Sequence, residues 1–159
     1  MTLHERDLRL YGAASDKASL AWPWVEQQLA DAGTYWINAR TPGHPHPRPV
    51  WGVWSLRQLH LGIGSPTLRL AIREEPAVTI HLDSGTEVVI VEGRVIPSAA
   101  TTPALIEAYN QKYDWDYQVS QYGDLTRVLP GKVLAWLTAG RAGRDSFQST
   151  GCWIFDDLG

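Results

Sequence analysis

The sequence predicts a small closed antiparallel β-barrel with helices on its periphery, a mainly β fold. Three observations lead there. Runs rich in Val, Ile, Thr, Tyr and Trp recur along the chain, and about six or seven of them have strand character. The connections between most of these runs are roughly two to five residues, which suits hairpins and not helical crossovers. Two helix starts are spelled out by punctuation, Ser65-Pro66 and Thr102-Pro103, each a hydroxyl cap followed by a proline at the first helical position. Closing the sheet on itself is the most economical way to leave no bare strand edges.

Composition sets the frame. With 159 residues the chain has the length of one domain. Residues 1–16 read as a polar, irregular N-terminal arm and residues 17–159 as the folded domain. Apolar residues make up 44% and charged residues 19%, enough for a core and too little charge for a disordered chain. Fourteen basic against 17 acidic side chains give a net charge of -3, so there is no cationic footprint for nucleic acid or an anionic membrane. No apolar run approaches the ~18 residues of a membrane span, and the first ten residues carry no signal-peptide core; a cytoplasmic protein is expected. Cys152 is the single cysteine, which excludes an intrachain disulfide and a cysteine metal cluster. Eight Trp and six Tyr stand beside two Phe. Such side chains bury flat area while keeping a polar handle, which suits interfaces and planar-ligand pockets as well as an aromatic core.

Read in order, residues 18–31 have a helical apolar stripe of Trp22, Val25 and Leu29, with Asp16 or Ser19 as cap and Gly33 as stop. Pro23 fits only the first turn, which moves the regular start towards Trp22. Residues 34–40 are β-prone, residues 41–44 form a turn, and residues 46–54 make a second strand. Pro47 and Pro49 cannot donate to a ladder, so this strand is an edge or is bulged at its start. A Leu56-Arg57 corner leads to a strand over 58–62. The helix from Pro66 ends at Pro76. Residues 77–82 and 86–96 form a hairpin about Asp83-Ser84-Gly85, and the doubly apolar run 88–91 makes the second strand central. The helix from Pro103 carries Leu105, Ile106, Tyr109 and Tyr113 on one side. Residues 114–124 read as irregular, 125–129 and 132–138 as two strands, 140–145 as a loop and 152–155 as a last short strand.

Chemistry concentrates in two places. At Gly64-Ser65-Pro66-Thr67-Leu68-Arg69 the free amides and positive end of a helix favour an anion, with the Ser65 and Thr67 hydroxyls as donors. Arg69 and Arg73, four apart, share one face and can grip phosphate oxygens; the alternative is an ordinary capped surface helix. At Pro49-Val50-Trp51-Gly52-Val53-Trp54 the glycine and broken edge suit a flat ring laid against strand backbone, or else the indoles are core or dimer-contact residues. His44 and His46 alternate as a metal pair would, but no third ligand joins them, and no metal is expected. His60 and His81 read as hydrogen-bonded strand residues. Cys152 has no flanking charge to activate it. Asp83, Glu87 and Glu92 are turn and strand-edge charges. There is no G-x-S-x-G, Walker or G-x-G-x-x-G motif, and no catalytic side chain is assigned.

Several runs together resemble the pyridoxamine 5'-phosphate oxidase-like superfamily, in its branch of small actinobacterial flavin and deazaflavin proteins. They are Ala21–Glu26, Thr34-Tyr35-Trp36, Pro45–Trp54, Gly64–Arg69, His81–Gly85, Val88–Gly93, Tyr109–Tyr113 and Ala135-Trp136. The resemblance covers about residues 21 to 155. It implies a six-stranded antiparallel split β-barrel of the FMN-binding type, a homodimer with cofactor grooves at its interface, and FMN or coenzyme F420 as cofactor. It implies an oxidoreductase that moves hydride between that cofactor and a small organic substrate. The phosphate positions fall on Ser65, Thr67 and Arg69, beside Gly64, and the ring-contacting strand on Arg48, Val50, Trp51 and Gly52. Trp51, Trp136 and Trp153 are candidate walls for a planar substrate. Two departures remove positive charge. The lysine common at the start of the post-turn helix is absent from Leu68-Arg69-Leu70, and a Thr-Arg-Trp ending is replaced by Gly151-Cys152-Trp153. The alternative is a non-catalytic module on the same barrel, holding a cofactor, haem or tetrapyrrole.

Overall fold

Strand propensity, proline and glycine divide this chain into nine strands and four helices among the described residues. The computed structural model describes residues 2–6, 8, 18–97, 100–138 and 147–156. In chain order the elements are β1 (Leu3–Arg6), β2 (Ala18–Ser19), α1 (Trp22–Asp31), β3 (Tyr35–Ala39), β4 (His46–Ser55) and β5 (Gln58–Gly62). There follow α2 (Pro66–Glu74), β6 (Ala77–His81), β7 (Glu87–Ile96), α3 (Pro103–Tyr113), α4 (Val119–Tyr122), β8 (Thr126–Thr138) and β9 (Phe147–Phe155). Six strands close a barrel in the order β8-β5-β4-β3-β6-β7 and back to β8, every pair antiparallel.

The barrel is split along β8. Its start pairs with β5 over Thr126–Val128, and its end pairs with β9 over Lys132–Thr138, while β7 runs along the other edge. The sequence suggests two strands broken at Pro130-Gly131. Instead the strand is continuous and the register shifts there, with Glu92 opposite Lys132 and Gly93 opposite Pro130. A bulge absorbs the residue that cannot keep the ladder. Gly93 is required opposite it, because a Cβ would lie 2.6 Å from the Leu129 carbonyl oxygen.

Alternation along the strands makes the core. β3 is buried at Tyr35, Ile37 and Ala39, and Leu59, Ile80, Val91 and Val133 join that core from β5, β6, β7 and β8. α1 adds Val25 and Leu29, and α2 adds Leu68, Ala71 and Ile72. The cap of α2 is the expected one, Ser65 Oγ accepting from the Leu68 N–H at 3.3 Å, and Thr102 Oγ1 caps α3 in the same way. α1 differs. Its N-cap is Ala21 with no side-chain bond; Ser19 lies in β2 and donates instead to the Glu5 carboxylate. Asp16 and the expected loop at 140–145 lie outside the described residues. Part of the arm expected to be irregular is β1, which pairs with the outer edge of β9. β9 itself begins at Phe147, well before the expected Cys152. One turn of helix, α4, interrupts the tract expected to be irregular. No helix among the described residues is long and apolar enough to cross a membrane.

Trp153 is a correction. Read as a substrate wall, it is 1% exposed and belongs to the core. Its indole meets Trp22 edge-on at 5.4 Å between ring centroids, and Trp22 also meets Phe155 at 5.4 Å and Trp54 at 6.4 Å. Gly151 makes room for it, since a Cβ there would sit 2.1 Å from the indole. We expect Trp153→Ala to cost roughly 3–5 kcal/mol, read from urea unfolding at unchanged m-value. A loss below about 1 kcal/mol would show that this cluster does not carry the core.

Candidate functional site

The site begins with a hand-over in β4. Residues His46–Val50 pair with β3, and Trp51–Ser55 pair with β5. The prolines Pro47 and Pro49 stand in the half that has only β3 beside it, which is the edge character their missing N–H groups predict. Past Val50 the β3 side of β4 is bare, and Gly52 presents an N–H and a carbonyl there. α3 fills the gap. The Tyr113 hydroxyl accepts from the Gly52 N–H at 2.9 Å and donates to the Gly52 carbonyl at 2.9 Å. Lys112 Nζ donates to the same carbonyl, to the Ala30 carbonyl and to the Tyr35 hydroxyl, each at 3.1 Å. Tyr35 passes its own proton on to the Leu29 carbonyl at 2.5 Å.

Above this staple lies an aromatic platform. The Trp51 indole, 43% exposed, stacks on Tyr113 at 4.7 Å between centroids and 5° between planes. Trp115 meets Trp51 edge-on at 6.0 Å. Together with Gly62, Ile63, Gly64, Arg69, Tyr109, Tyr117 and Tyr122 they line a cavity of about 180 Å³. Gly62 is needed here, since a Cβ would lie 2.6 Å from the Tyr109 hydroxyl oxygen. Arg69 is committed: its Nε donates to the Ile63 carbonyl at 2.6 Å and its Nη2 to the Tyr122 carbonyl at 3.1 Å.

Electrostatics follow from burial. Burial pulls Lys112 down to about 8, with Asp31 opposing; it remains a cation at pH 7. Burial pushes Tyr35, Tyr109, Tyr113 and Tyr117 up, so their phenols stay protonated. His60, in β5 opposite Arg127, is pulled down by burial and then by that arginine. Burial pushes the Cys152 thiol up, which keeps it unreactive.

Of the residues singled out in sequence, Trp51, Gly64 and Arg69 line this cavity. Ser65 and Thr67 occupy the helix start beside it. Gly52 lies under Tyr113 with its backbone groups occupied. Val50 points into the barrel core, and Arg48 is exposed with its Nη1 on the Pro47 carbonyl. Trp136 is half-buried in β8, opposite Val88 and Thr150, away from the cavity. Sequence reading missed Lys112, Trp115, Tyr117 and Tyr122 as site residues. The signal was present as tyrosines at 109, 113 and 117, a spacing of four that continues the α3 face beyond its end.

No family model matches this chain, and no curated protein does. Solved structures share its fold. An F420 reductase is 19% identical with a TM-score of 0.55, covering 68% of this chain and 94% of that one. A FAD-binding protein from Mesorhizobium loti is 14% identical with a TM-score of 0.54, covering 86% and 96%. A candidate pyridoxamine 5'-phosphate oxidase from Listeria innocua is 16% identical with a TM-score of 0.52, covering 71% and 93%. At these identities the likeness is one of architecture: the chain has the split β-barrel fold of these proteins.

The lysine staple has a pH signature. Lys112 is near 8 in the folded protein against its ordinary 10.5, so between these values the unfolded chain holds the proton more tightly. Stability to urea therefore rises above about pH 8, opposed from about pH 9 by ionisation of the unfolded Cys152 thiol and reversed from about pH 10 by that of unfolded Tyr35 and Tyr109. Lys112→Met should abolish the rise. A rise of the same size in that variant would assign it to another group.

Proposed function

We propose that this protein is a flavin- or deazaflavin-dependent oxidoreductase of the pyridoxamine 5'-phosphate oxidase-like kind. It takes FMN or coenzyme F420 and moves hydride between that ring and a small organic substrate. The observation that carries the reading is the exposed Trp51 indole, held flat by Tyr113, at a cavity that also includes Gly64 and Arg69 beside the start of α2. A flat apolar plate next to a helix N-terminus suits a planar ring with an anionic tail.

The residues present fit one end of such a molecule. At about 180 Å³ the cavity is smaller than the roughly 300–1,000 Å³ of a complete small-molecule site. The reading therefore includes a homodimer, in which a second chain covers the remainder of the ligand. Trp51 would stack on the ring. The amide and hydroxyl of Thr67, and the Ser65 hydroxyl proton left free by capping, would hold the phosphate. Arg69, tied to two carbonyls, adds positive field and fixes the helix start against α4. Tyr109, Trp115 and Tyr117 exclude water. The hydride chemistry is the cofactor's, so the protein needs to supply binding, orientation and dryness.

A second reading, a carrier without turnover, is favoured by one observation: the cavity lining contains no carboxylate or imidazole that could act as an acid or base near pH 7. Titration with FMN and with F420, followed by assay of the reduced cofactor against an acceptor panel, separates the two. We expect one cofactor to bind a dimer on sizing. Trp51→Ala should weaken it about threefold to tenfold, the value of one aromatic stack. Binding of neither cofactor to the wild-type chain would end both readings, and binding without turnover would leave the carrier.

A further inference from the structure

A larger cavity, about 450 Å³, opens on another side of α2, between that helix, the end of β7 and the start of β8. Its volume lies within the roughly 300–1,000 Å³ of small-molecule sites. The walls are apolar: Ile72 from α2, Val95 and Ile96 from β7, and Leu125 just before β8. Three guanidinium groups also line it, those of Arg69, Arg73 and Arg94, against the single carboxylate of Asp124. That carboxylate already accepts from the Thr101 N–H at 2.7 Å.

The arginines differ in what occupies them. Arg69 is bonded to two carbonyls. Arg73 and Arg94 have no ion pair and no hydrogen-bonded side-chain partner among the described residues. Arg73, in the last turn of α2, has a separate reason to be basic in the helix dipole. Arg94 has none: it sits in a strand between Ala77 and Leu129. Unspent guanidinium groups around an apolar hollow make a site for a molecule with an apolar body and an anionic head.

We propose that this cavity binds an amphipathic organic anion, an aryl or medium-chain alkyl carboxylate or its like-charged analogue, as a site distinct from the aromatic cavity. The apolar body lies against Ile72, Val95 and Leu125, and the head sits between Arg73 and Arg94. The proposal does not depend on the cofactor reading, because Arg69 is the one residue common to both linings.

The test uses the full chain and the fluorescent probe 8-anilinonaphthalene-1-sulfonate, with decanoate as competitor. We expect saturable probe binding that decanoate displaces and that weakens as salt is raised. Arg73→Ala with Arg94→Ala should weaken it at least about fivefold. Both side chains are exposed, so the variant should fold, as circular dichroism would verify. Thr126→Trp, which fills the cavity with both arginines in place, should also block the probe. Trp51→Ala should leave it unchanged. The proposal is overturned if the wild-type chain binds no probe, if the double variant binds as well as wild type, or if Trp51→Ala alone removes binding.

Discussion

One ten-residue strand has to serve two partners in turn, and the site grows from that constraint. β4 is bonded to β3 up to Val50 and to β5 from Trp51 onward. At the hand-over Gly52 has an N–H and a carbonyl with no strand to receive them, and leaving such groups buried and unpaired costs roughly 1–3 kcal/mol each. A single phenol solves both, because a hydroxyl can accept and donate at once. Tyr113 does so, and in this respect it substitutes for a missing strand residue. The glycine is forced from the other side: a Cβ at 52 would lie 2.6 Å from Leu61 and 2.7 Å from the His60 carbonyl oxygen. Once the phenol is at Gly52, its ring lies under the neighbouring indole. The flat, exposed Trp51 plate is thus a by-product of backbone repair, oriented by the Tyr113 ring stacked on it.

Charge is set by the same staple. Lys112 lies 5.0 Å from the Tyr35 ring centroid and 5.5 Å from that of Tyr113, on the electron-rich faces that favour a cation. Desolvation works against the charge and Asp31 works for it. With three oxygen acceptors around it the ammonium survives at neutral pH, while the surrounding phenols are driven further from ionising. The region therefore carries Lys112 and Arg69 as cations and no anionic tyrosine, with the carboxylates of Asp31 and Asp124 acting on the same groups.

Much of this was legible in sequence because it is written in local rules. Ser65-Pro66 and Thr102-Pro103 mark helix starts by capping chemistry that needs no tertiary context, and both caps are present. Pro47 and Pro49 say which half of a strand lacks a second partner. What local rules omit is who fills the vacancy. Nothing near Gly52 in sequence names Lys112 and Tyr113, some 60 residues on, and residues 114–124 look irregular because their order comes from docking aromatic rings onto Trp51 of β4 and Tyr109 of α3. Trp153 was misread for a related reason. An indole suits a ligand wall and a core equally well, and the deciding factor is the missing side chain at Gly151, over which the ring folds. Pro130-Gly131 likewise reads as a break unless the continuous partner β7 is known.

The two departures from the resembling family look different once the strands are placed. Cys152 is 6% exposed, so an arginine at that position would have to carry its head out of the core or bury a charge at a cost of several kcal/mol. The position across from it in register is Arg6, in β1. Arg6 and Lys132 both lie close enough to pull the Cys152 thiol downward against the effect of burial. Lys132 is partly neutralised by Glu92 at 3.1 Å, whereas Arg6 is exposed. Positive charge absent from one strand is thus present on the strand laid against it, contributed by the N-terminal segment. At the helix start the compensation is of another kind. The missing lysine leaves the N-terminal amides and two hydroxyls of α2, and Arg69, itself exposed, ties the β5–α2 turn to α4. Two of the five guanidinium N–H groups are spent on these carbonyls, which ties the helix start in place and leaves three donors on Nη1 and Nη2.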